Sequence, residues 1–156
     1  MKYEVIILGG GIAGSSLAYH LCKKGVRTIL IDRSMNPDGA TAVSGGIVTR
    51  LQDHPDDIKY AIYAARFYRE VDSTRESIRD GLLSIEDEEY AINDYDRYRS
   101  ILGDIELYEP AEIRDRWPYL NMHEGELGIY SKYDLTINPR KFLEIIWSRI
   151  EDFGCE

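Results

Sequence analysis

The sequence predicts an α/β fold: a Rossmann-like βαβ unit with a parallel sheet, followed by the start of an α+β insertion. Three observations predict it. Tyr3–Leu8 (YEVIIL) contains the β-branched, continuously apolar run Val5–Leu8, as expected of a parallel strand buried on both faces. The glycine-rich stretch LGGGIAGSS follows directly, and from about Ile12 to Lys24 the pattern turns helical, with Ala13, Leu17, Ala18 and Leu21 on one face. Gly25 stops that helix, and Arg27–Asp32 (RTILID) makes a second buried strand. Strand, glycine turn, helix and strand in this order form a βαβ unit, whose crossover is right-handed.

Beyond it, Asn36–Gly46 is loop, rich in Gly and small hydroxyl residues. A long helix starts near Pro55, with Asp56 and Asp57 suited to its first turn. Ile58, Ala61, Ile62, Ala65, Tyr68 and Val71 keep one face of it. Ser73–Glu76 has the spacing of a capping box, so the helix is expected to break there and restart before Gly81. Short alternating pieces follow: a strand at Leu82–Glu86, a helix at Glu88–Leu102, a strand at Ile105–Tyr108, a short helix at Pro110–Trp117 and a strand at Glu126–Ser131. The last helix has Asn138 as N-cap, Pro139 in its first turn, and Phe142, Leu143, Ile146, Trp147 and Ile150 on its apolar face. The expected division is 1–81 for the βαβ region, 82–131 for part of a substrate or cap subdomain, and 132–156 for a return to the first region. A two-stranded parallel sheet is under-buried. The chain is therefore expected to be the N-terminal piece of something longer, or to have its sheet completed by a homo-oligomer or a second chain.

Composition narrows the function. With 156 residues, 44% of them hydrophobic, the chain suits one soluble globular domain. A formal net charge of -9 leaves no basic stripe for nucleic acid or anionic membrane. The apolar run Val5–Leu8 is too short for a membrane span or a signal segment, which suggests a cytoplasmic protein. Cys22 and Cys155 are too few for a disulfide framework and lack metal-ligand spacing, so they are expected to be reduced thiols. His20, His54 and His123 share no metal or triad spacing.

The glycines carry the chemistry. Gly9, Gly11 and Gly14 fit G-x-G-x-x-G, each with its own task. Gly9 permits the tight turn, Gly11 lets a pyrophosphate approach the backbone, and Gly14 lets the helix pack on the sheet. The N–H groups at the helix start, from Ile12 and Ala13, and the helix dipole then bind a diphosphate without Lys or Arg. Asp32 lies 18 residues beyond Gly14, at the end of the second strand, where a carboxylate accepts hydrogen bonds from ribose hydroxyls. This fingerprint indicates a dinucleotide but does not separate NAD from FAD.

Four patterns in order then resemble the D-amino-acid oxidase-like family of FAD-dependent oxidoreductases, which includes glycine and sarcosine oxidases. They are GGGIAG followed by the pair Asp32-Arg33, the loop Gly39–Ile47 (GATAVSGGI), Leu107–Asn121 (LYEPAEIRDRWPYLN) and Leu135–Leu143 (LTINPRKFL). Thr41 stands where Ser is commoner, and Asp134-Leu135-Thr136 lacks a glycine frequent there. The resemblance implies a Rossmann-like FAD-binding domain and the cofactor FAD. It assigns Gly9, Gly11, Ile12, Ala13 and Gly14 to the pyrophosphate, Asp32 to the adenosine ribose and Arg33 to the adenine side. It assigns Thr41 and Ser44 to the pyrophosphate or ribityl chain, and Gly45, Gly46 and Ile47 to the flavin edge. It further implies oxidation of a small amine or amino acid by hydride transfer to the flavin, for which the chain needs no general base of its own. Catalytic residues are unknown on this pattern, Arg50 being the one candidate for a substrate-side charge. Two other readings stay open: an NAD-binding dehydrogenase domain, and a non-catalytic, partner-dependent fragment.

Overall fold

Gly25, at φ +77°, turns the chain back after its first helix and thereby sets two strands side by side. The computed structural model describes residues 2–156. Its elements run β1 (Val5–Leu8), α1 (Ile12–Lys23), β2 (Thr28–Ile31), a 3₁₀ turn (Ala40–Val43), β3 (Ile47–Val48), α2 (Pro55–Val71), β4 (Ile78–Asp87), α3 (Glu88–Leu102), β5 (Ile105–Tyr108), α4 (Pro110–Arg116), β6 (Glu126–Ile137) and α5 (Pro139–Asp152). They divide into two units. The first holds the chain up to Ile47, Arg66–Arg79 and Ile137–Glu156; the second holds Val48–Ala65 and Asp80–Thr136. The second unit therefore takes in the start of α2, which the sequence groups with the βαβ region.

In the first unit β1 and β2 pair in parallel, from Val5 opposite Thr28 to Leu8 opposite Ile31. One face of this sheet is covered. Ile7, Ala18, Tyr19, Phe67, Val71, Phe142, Leu143, Ile146 and Ile150 form its core. The other face is open, with Ile6 64% and Leu8 79% exposed, so burial on both faces is not observed. α5 is the best-built helix. Asn138 accepts the Lys141 N–H at 3.2 Å, and the apolar face packs onto α1.

The cysteines correct the sequence expectation. Cys22 of α1 and Cys155 are joined in a disulfide across 133 residues, with their Cα atoms 6.1 Å apart. Gly154, at φ +78°, reverses the tail after α5 and brings Cys155 back to α1. Closing a loop of this size contributes on the order of 5 kcal/mol by restricting the unfolded chain. The next residue, Glu156, docks on the free edge of β2: its N–H donates to the Thr28 carbonyl at 3.4 Å and its carbonyl accepts the Leu30 N–H at 2.7 Å.

The turn after α2 also departs from the expected capping box. Asp72, fully buried, accepts the N–H groups of Glu76 at 3.0 Å and Ser77 at 2.7 Å, and the Ser77 hydroxyl at 2.7 Å. Burial alone raises the Asp72 pKa, but these donors outweigh it and hold the carboxyl below its ordinary value. The N–H groups that a new helix would leave without partners are thus satisfied in a turn, with Arg75 at φ 61°, and the chain leaves it as β4. That strand starts at Ile78 rather than at Leu82.

The second unit is built on a four-stranded sheet in which β6 pairs with β3 and β4, and β5 pairs with β6 antiparallel from Ile105–Ser131 to Tyr108–Gly128. Ile58, Ala91, Tyr98, Ile105, Leu127 and Ile129 form its core. The Pro110–Trp117 stretch makes a local cluster, since the Arg116 guanidinium lies 4.4 Å from the Tyr108 ring and Trp117 packs on Tyr108 and Tyr130. Burial, then the Glu106 carboxylate, pushes the Tyr108 hydroxyl up to about 12.

Arg50 has a different occupation from the substrate-side charge expected of it. Its Nε donates to Asp134 at 2.7 Å; its terminal nitrogens donate to Asp104 at 3.2 and 2.7 Å and to Ser131 at 2.8 Å. The Thr49 hydroxyl and the Arg50 N–H complete the shell of the fully buried Asp134. This network explains why β6 runs on past the predicted Ser131 to Ile137. Removing one partner leaves an uncompensated buried charge. Arg50→Ala should therefore lower the unfolding free energy by about 3–5 kcal/mol. The double variant Arg50→Met/Asp134→Leu should recover most of that in denaturant unfolding; equal loss in both variants would show that the ion pair is not the cause.

Candidate dinucleotide-binding site

The site lies wholly in the first unit and is built around the turn from β1 to α1. The Gly9 N–H extends the sheet by donating to the Ile31 carbonyl at 2.7 Å, and Gly9 itself sits at φ +107°, open to glycine at little cost. α1 then packs directly over this turn. A Cβ at Gly14 would stand 1.9 Å from the Gly9 carbonyl oxygen, closer than any side chain tolerates.

The backbone of Gly10 is held on both sides. Its N–H donates to Asp32 Oδ2 at 2.6 Å, and its carbonyl accepts from the Ser15 hydroxyl at 2.9 Å and from the Trp147 indole N–H at 3.1 Å. Trp147 also donates to Ser15 Oγ at 2.9 Å. Asp32 Oδ1 takes the Ser34 N–H at 3.0 Å. The Gly10 N–H first, and then that of Ser34, hold the Asp32 carboxyl below its ordinary value. Thr41 Oγ1 accepts the Ile12 N–H at 3.1 Å, so a neutral oxygen stands at the helix N-terminus where four N–H groups lack intrahelical partners.

Two clefts meet here. One, of about 240 Å³, is lined by Gly10, Gly11, Asp32, Arg33, Gly39, Thr41, Leu143 and Trp147 among others. The second, of about 370 Å³, runs along the free edge of β2 past Leu30, Ile31, Asp32, Met35, Trp147, Ile150 and Glu156. Gly10, Asp32 and Trp147 belong to both. Bare backbone at Gly10, Gly11 and Gly39, the Thr41 hydroxyl and two carboxylates, Asp32 beside Gly10 and Asp38 paired with Arg33, make a set of donors and acceptors that fits a diphosphate and a ribose. Among the described residues no cluster of His, Cys, Asp or Glu could hold a metal ion.

Of the sequence-predicted residues, Gly11, Ile12, Asp32 and Thr41 come together at this cleft. Gly9 and Gly14 shape the turn, and Ala13 lies exposed beside it in the first turn of α1. Arg33 is at the rim, its side chain 79% exposed and 3.6 Å from Asp38. The Ser44 hydroxyl turns back to the Thr41 carbonyl at 2.8 Å. Gly46, at φ +66°, packs on backbone: a Cβ there would lie 2.1 Å from the Ile137 carbonyl oxygen. Gly45 is open and Ile47 is 62% exposed; neither lines the two clefts. Trp147 and Ser15 were not singled out from sequence. Trp147 reads there as one more residue of an apolar helix face, and only the fold brings its N–H to Gly10.

A strand, a bare glycine turn, a helix N-terminus and a carboxylate closing the next strand define a dinucleotide-binding domain. The chain belongs to the family of FAD-dependent oxidoreductases, whose pattern it matches over residues 4–156. It is 27% identical over 149 residues to dimethylglycine dehydrogenase, mitochondrial, of Homo sapiens, covering 88% of this chain and 17% of that protein. It is 26% identical over 144 residues to the mitochondrial pyruvate dehydrogenase phosphatase regulatory subunit of Mus musculus, covering 86% of this chain and 16% of that one. The crystal structure of L-proline dehydrogenase from P. horikoshii superposes with a TM-score of 0.87 at 17% identity, over 99% of this chain and 43% of that chain. The chain thus spans under a fifth of these two curated relatives.

The glycine argument gives a paired expectation. Gly14→Ala should destabilise the first unit by about 3 kcal/mol or more, because the added methyl meets backbone that cannot retreat. Gly39→Ala, where a Cβ meets nothing within 4 Å, should change stability by less than about 0.5 kcal/mol. Thermal unfolding of both variants checks this, and similar losses in the two would contradict it.

Proposed function

We propose that this chain is the FAD-binding part of a flavin-dependent oxidoreductase that oxidises a small amine or amino acid. The observation that carries the proposal is the cleft where Gly11, Ile12, Asp32 and Thr41 meet beside the restrained Gly10 backbone. Family membership and the dimethylglycine and L-proline dehydrogenases among its similar proteins support the substrate class. Bound FAD supplies the hydride acceptor for C–N oxidation.

The chain's own residues bind and orient. The N–H groups at the start of α1 would face the diphosphate, and the Thr41 hydroxyl, whose oxygen accepts from Ile12, would donate its own hydrogen to a phosphate oxygen. Asp32 keeps its Gly10 and Ser34 donors and uses its remaining lone pairs for the ribose hydroxyls. Arg33 flanks the adenine side from the rim, and Gly45, Gly46 and Ile47 follow the flavin edge. Residues 82–131 belong to the substrate side of the protein. The edge pairing of Glu156 with β2 supports completion of the sheet by a further segment or a second copy, and the exposed Ile6 and Leu8 support a layer over its open face; a monodisperse monomer in sedimentation counts against the second copy. No helix among the described residues is long and apolar enough to cross a membrane. We infer a cytoplasmic location. Cell fractionation tests that location. A second, non-catalytic reading draws on the phosphatase regulatory subunit among the relatives.

The test is calorimetric titration of the chain with FAD, ADP and NADH. FAD and ADP should bind, and Asp32→Ala should weaken both at least tenfold. A folded chain that takes up neither FAD nor ADP would overturn the proposal. The depressed Asp32 pKa adds a sign. The carboxylate stays charged through the ordinary aspartate range near ~3.9 and is lost only as the pH falls through its lower folded value. FAD affinity should therefore be flat between about pH 7 and 5, since its diphosphate is doubly esterified and has no group titrating there; a tenfold fall over that interval would assign recognition to another group.

A further inference from the structure

We propose that Trp147 and Ser15 are positioning residues for the dinucleotide: together they hold the Gly10–Gly11 peptide so that its N–H is presented to a diphosphate oxygen. The ligand in this statement rests on the dinucleotide reading above. The Gly10 carbonyl accepts the Ser15 hydroxyl at 2.9 Å and the Trp147 indole N–H at 3.1 Å, which occupies both of its lone pairs. The same indole N–H reaches Ser15 Oγ at 2.9 Å, so three groups close a ring of hydrogen bonds between α1 and α5. Gly11, whose N–H belongs to the anchored peptide, lines the cleft of about 240 Å³.

In a trans peptide the carbonyl and the N–H point in opposite directions, and no cis peptide occurs among the described residues. With the Gly10 oxygen turned into the seam between α1 and α5, the Gly11 N–H is turned away from that seam. Gly11 is the N-cap residue of α1, so its N–H has no partner within the helix. Two donors on the carbonyl also polarise the peptide and make this N–H a stronger donor.

A peptide between two glycines needs such an anchor. Turning it over swings Gly11 from φ -69° to positive φ, which glycine accepts at little cost. The turned peptide would aim its carbonyl where the N–H stood, and an oxygen there repels a phosphate. Ser15 opposes this from α1. It is fully buried; its N–H donates to the Gly11 carbonyl at 2.9 Å and its hydroxyl to the Gly10 carbonyl, so one residue fixes two successive peptides. Trp147 opposes it from α5, which Phe142, Leu143, Ile146 and Ile150 seat in the core. Both side chains act on the ligand through the peptide.

The experiment compares Trp147→Phe, Ser15→Ala and the double variant with the unaltered chain, titrating each with ADP and with adenosine and following backbone chemical shifts. Adenosine keeps the ribose and the base but lacks the diphosphate, so it separates loss of peptide positioning from general damage to the cleft. ADP affinity should fall about threefold in each single variant and about tenfold in the double variant, as expected for one or two lost hydrogen bonds. Adenosine affinity should change by less than about twofold, below the worth of one hydrogen bond. Without ligand, the Gly10 carbonyl carbon resonance should move upfield in the double variant as its donors are lost. Ser15→Ala is the smaller change and carries the comparison if Trp147→Phe does not fold. An unchanged ratio of ADP to adenosine affinity in the folded variants would overturn the proposal, and so would an unmoved Gly10 carbonyl resonance. An unaltered chain that binds neither ligand overturns the dinucleotide reading instead, and the Gly10 resonance then decides the anchor by itself.

Discussion

The hydrogen bonds that fix the Gly10 backbone are what the rest of the first unit depends on. The Gly10 N–H ends on Asp32 and the Gly10 carbonyl on Ser15 and Trp147, so the backbone of one residue ties together β2, α1 and α5. A Cβ at position 10 would lie 3.1 Å from Trp147 and 3.3 Å from Asp32, so those side chains would have to give by a few tenths of an ångström. Glycine is favoured there by space, and at Gly9 by its backbone conformation. Because the turn is already held in the protein alone, a ligand need not supply the ordering energy, and more of its contact energy appears as affinity.

This arrangement also answers how a chain of net charge -9 can hold a diphosphate. Cations are scarce at the cleft: Arg33 is the charged donor among its lining residues, and it stands at the rim. On the function proposed above, backbone N–H groups at the start of α1 would take that role, aided by the helix dipole. Asp32 would oppose an anion if it faced the phosphates. Two N–H donors hold it at the end of β2, where it is suited to accept from hydroxyls. Selectivity and binding thus come from separate groups on one turn.

What could be seen in the sequence was what is local. The tasks of Gly9 and Gly14 fall within one turn of chain, and α3, β5 and α5 have their signals in consecutive residues. What escaped depends on long closure. Trp147 reaches Gly10 across 137 positions, and the disulfide spans 133. Arg50 appeared as a charge available to a ligand because its partner Asp134 lies 84 positions away. The Ser73–Glu76 spacing matched a capping box, yet Asp72 just upstream competes for the same N–H groups and wins. A local pattern names the donors that need partners; burial decides which acceptor takes them.

The edge of β2 joins the two ideas of sheet completion and nucleotide binding. Glu156 brackets Ile29 in the manner of a parallel neighbour, using the Thr28 carbonyl and the Leu30 N–H. Any strand that continues this pairing next meets the Leu30 carbonyl and the Asp32 N–H, the backbone of the residue whose carboxylate restrains Gly10. Strand addition there would stiffen Asp32 from the side opposite to Gly10 and wall off the cleft along Leu30 and Ile31. Order at the sheet edge and order at the Asp32 carboxylate are then one property, and the Cys22–Cys155 disulfide fixes the backbone one residue upstream of that edge.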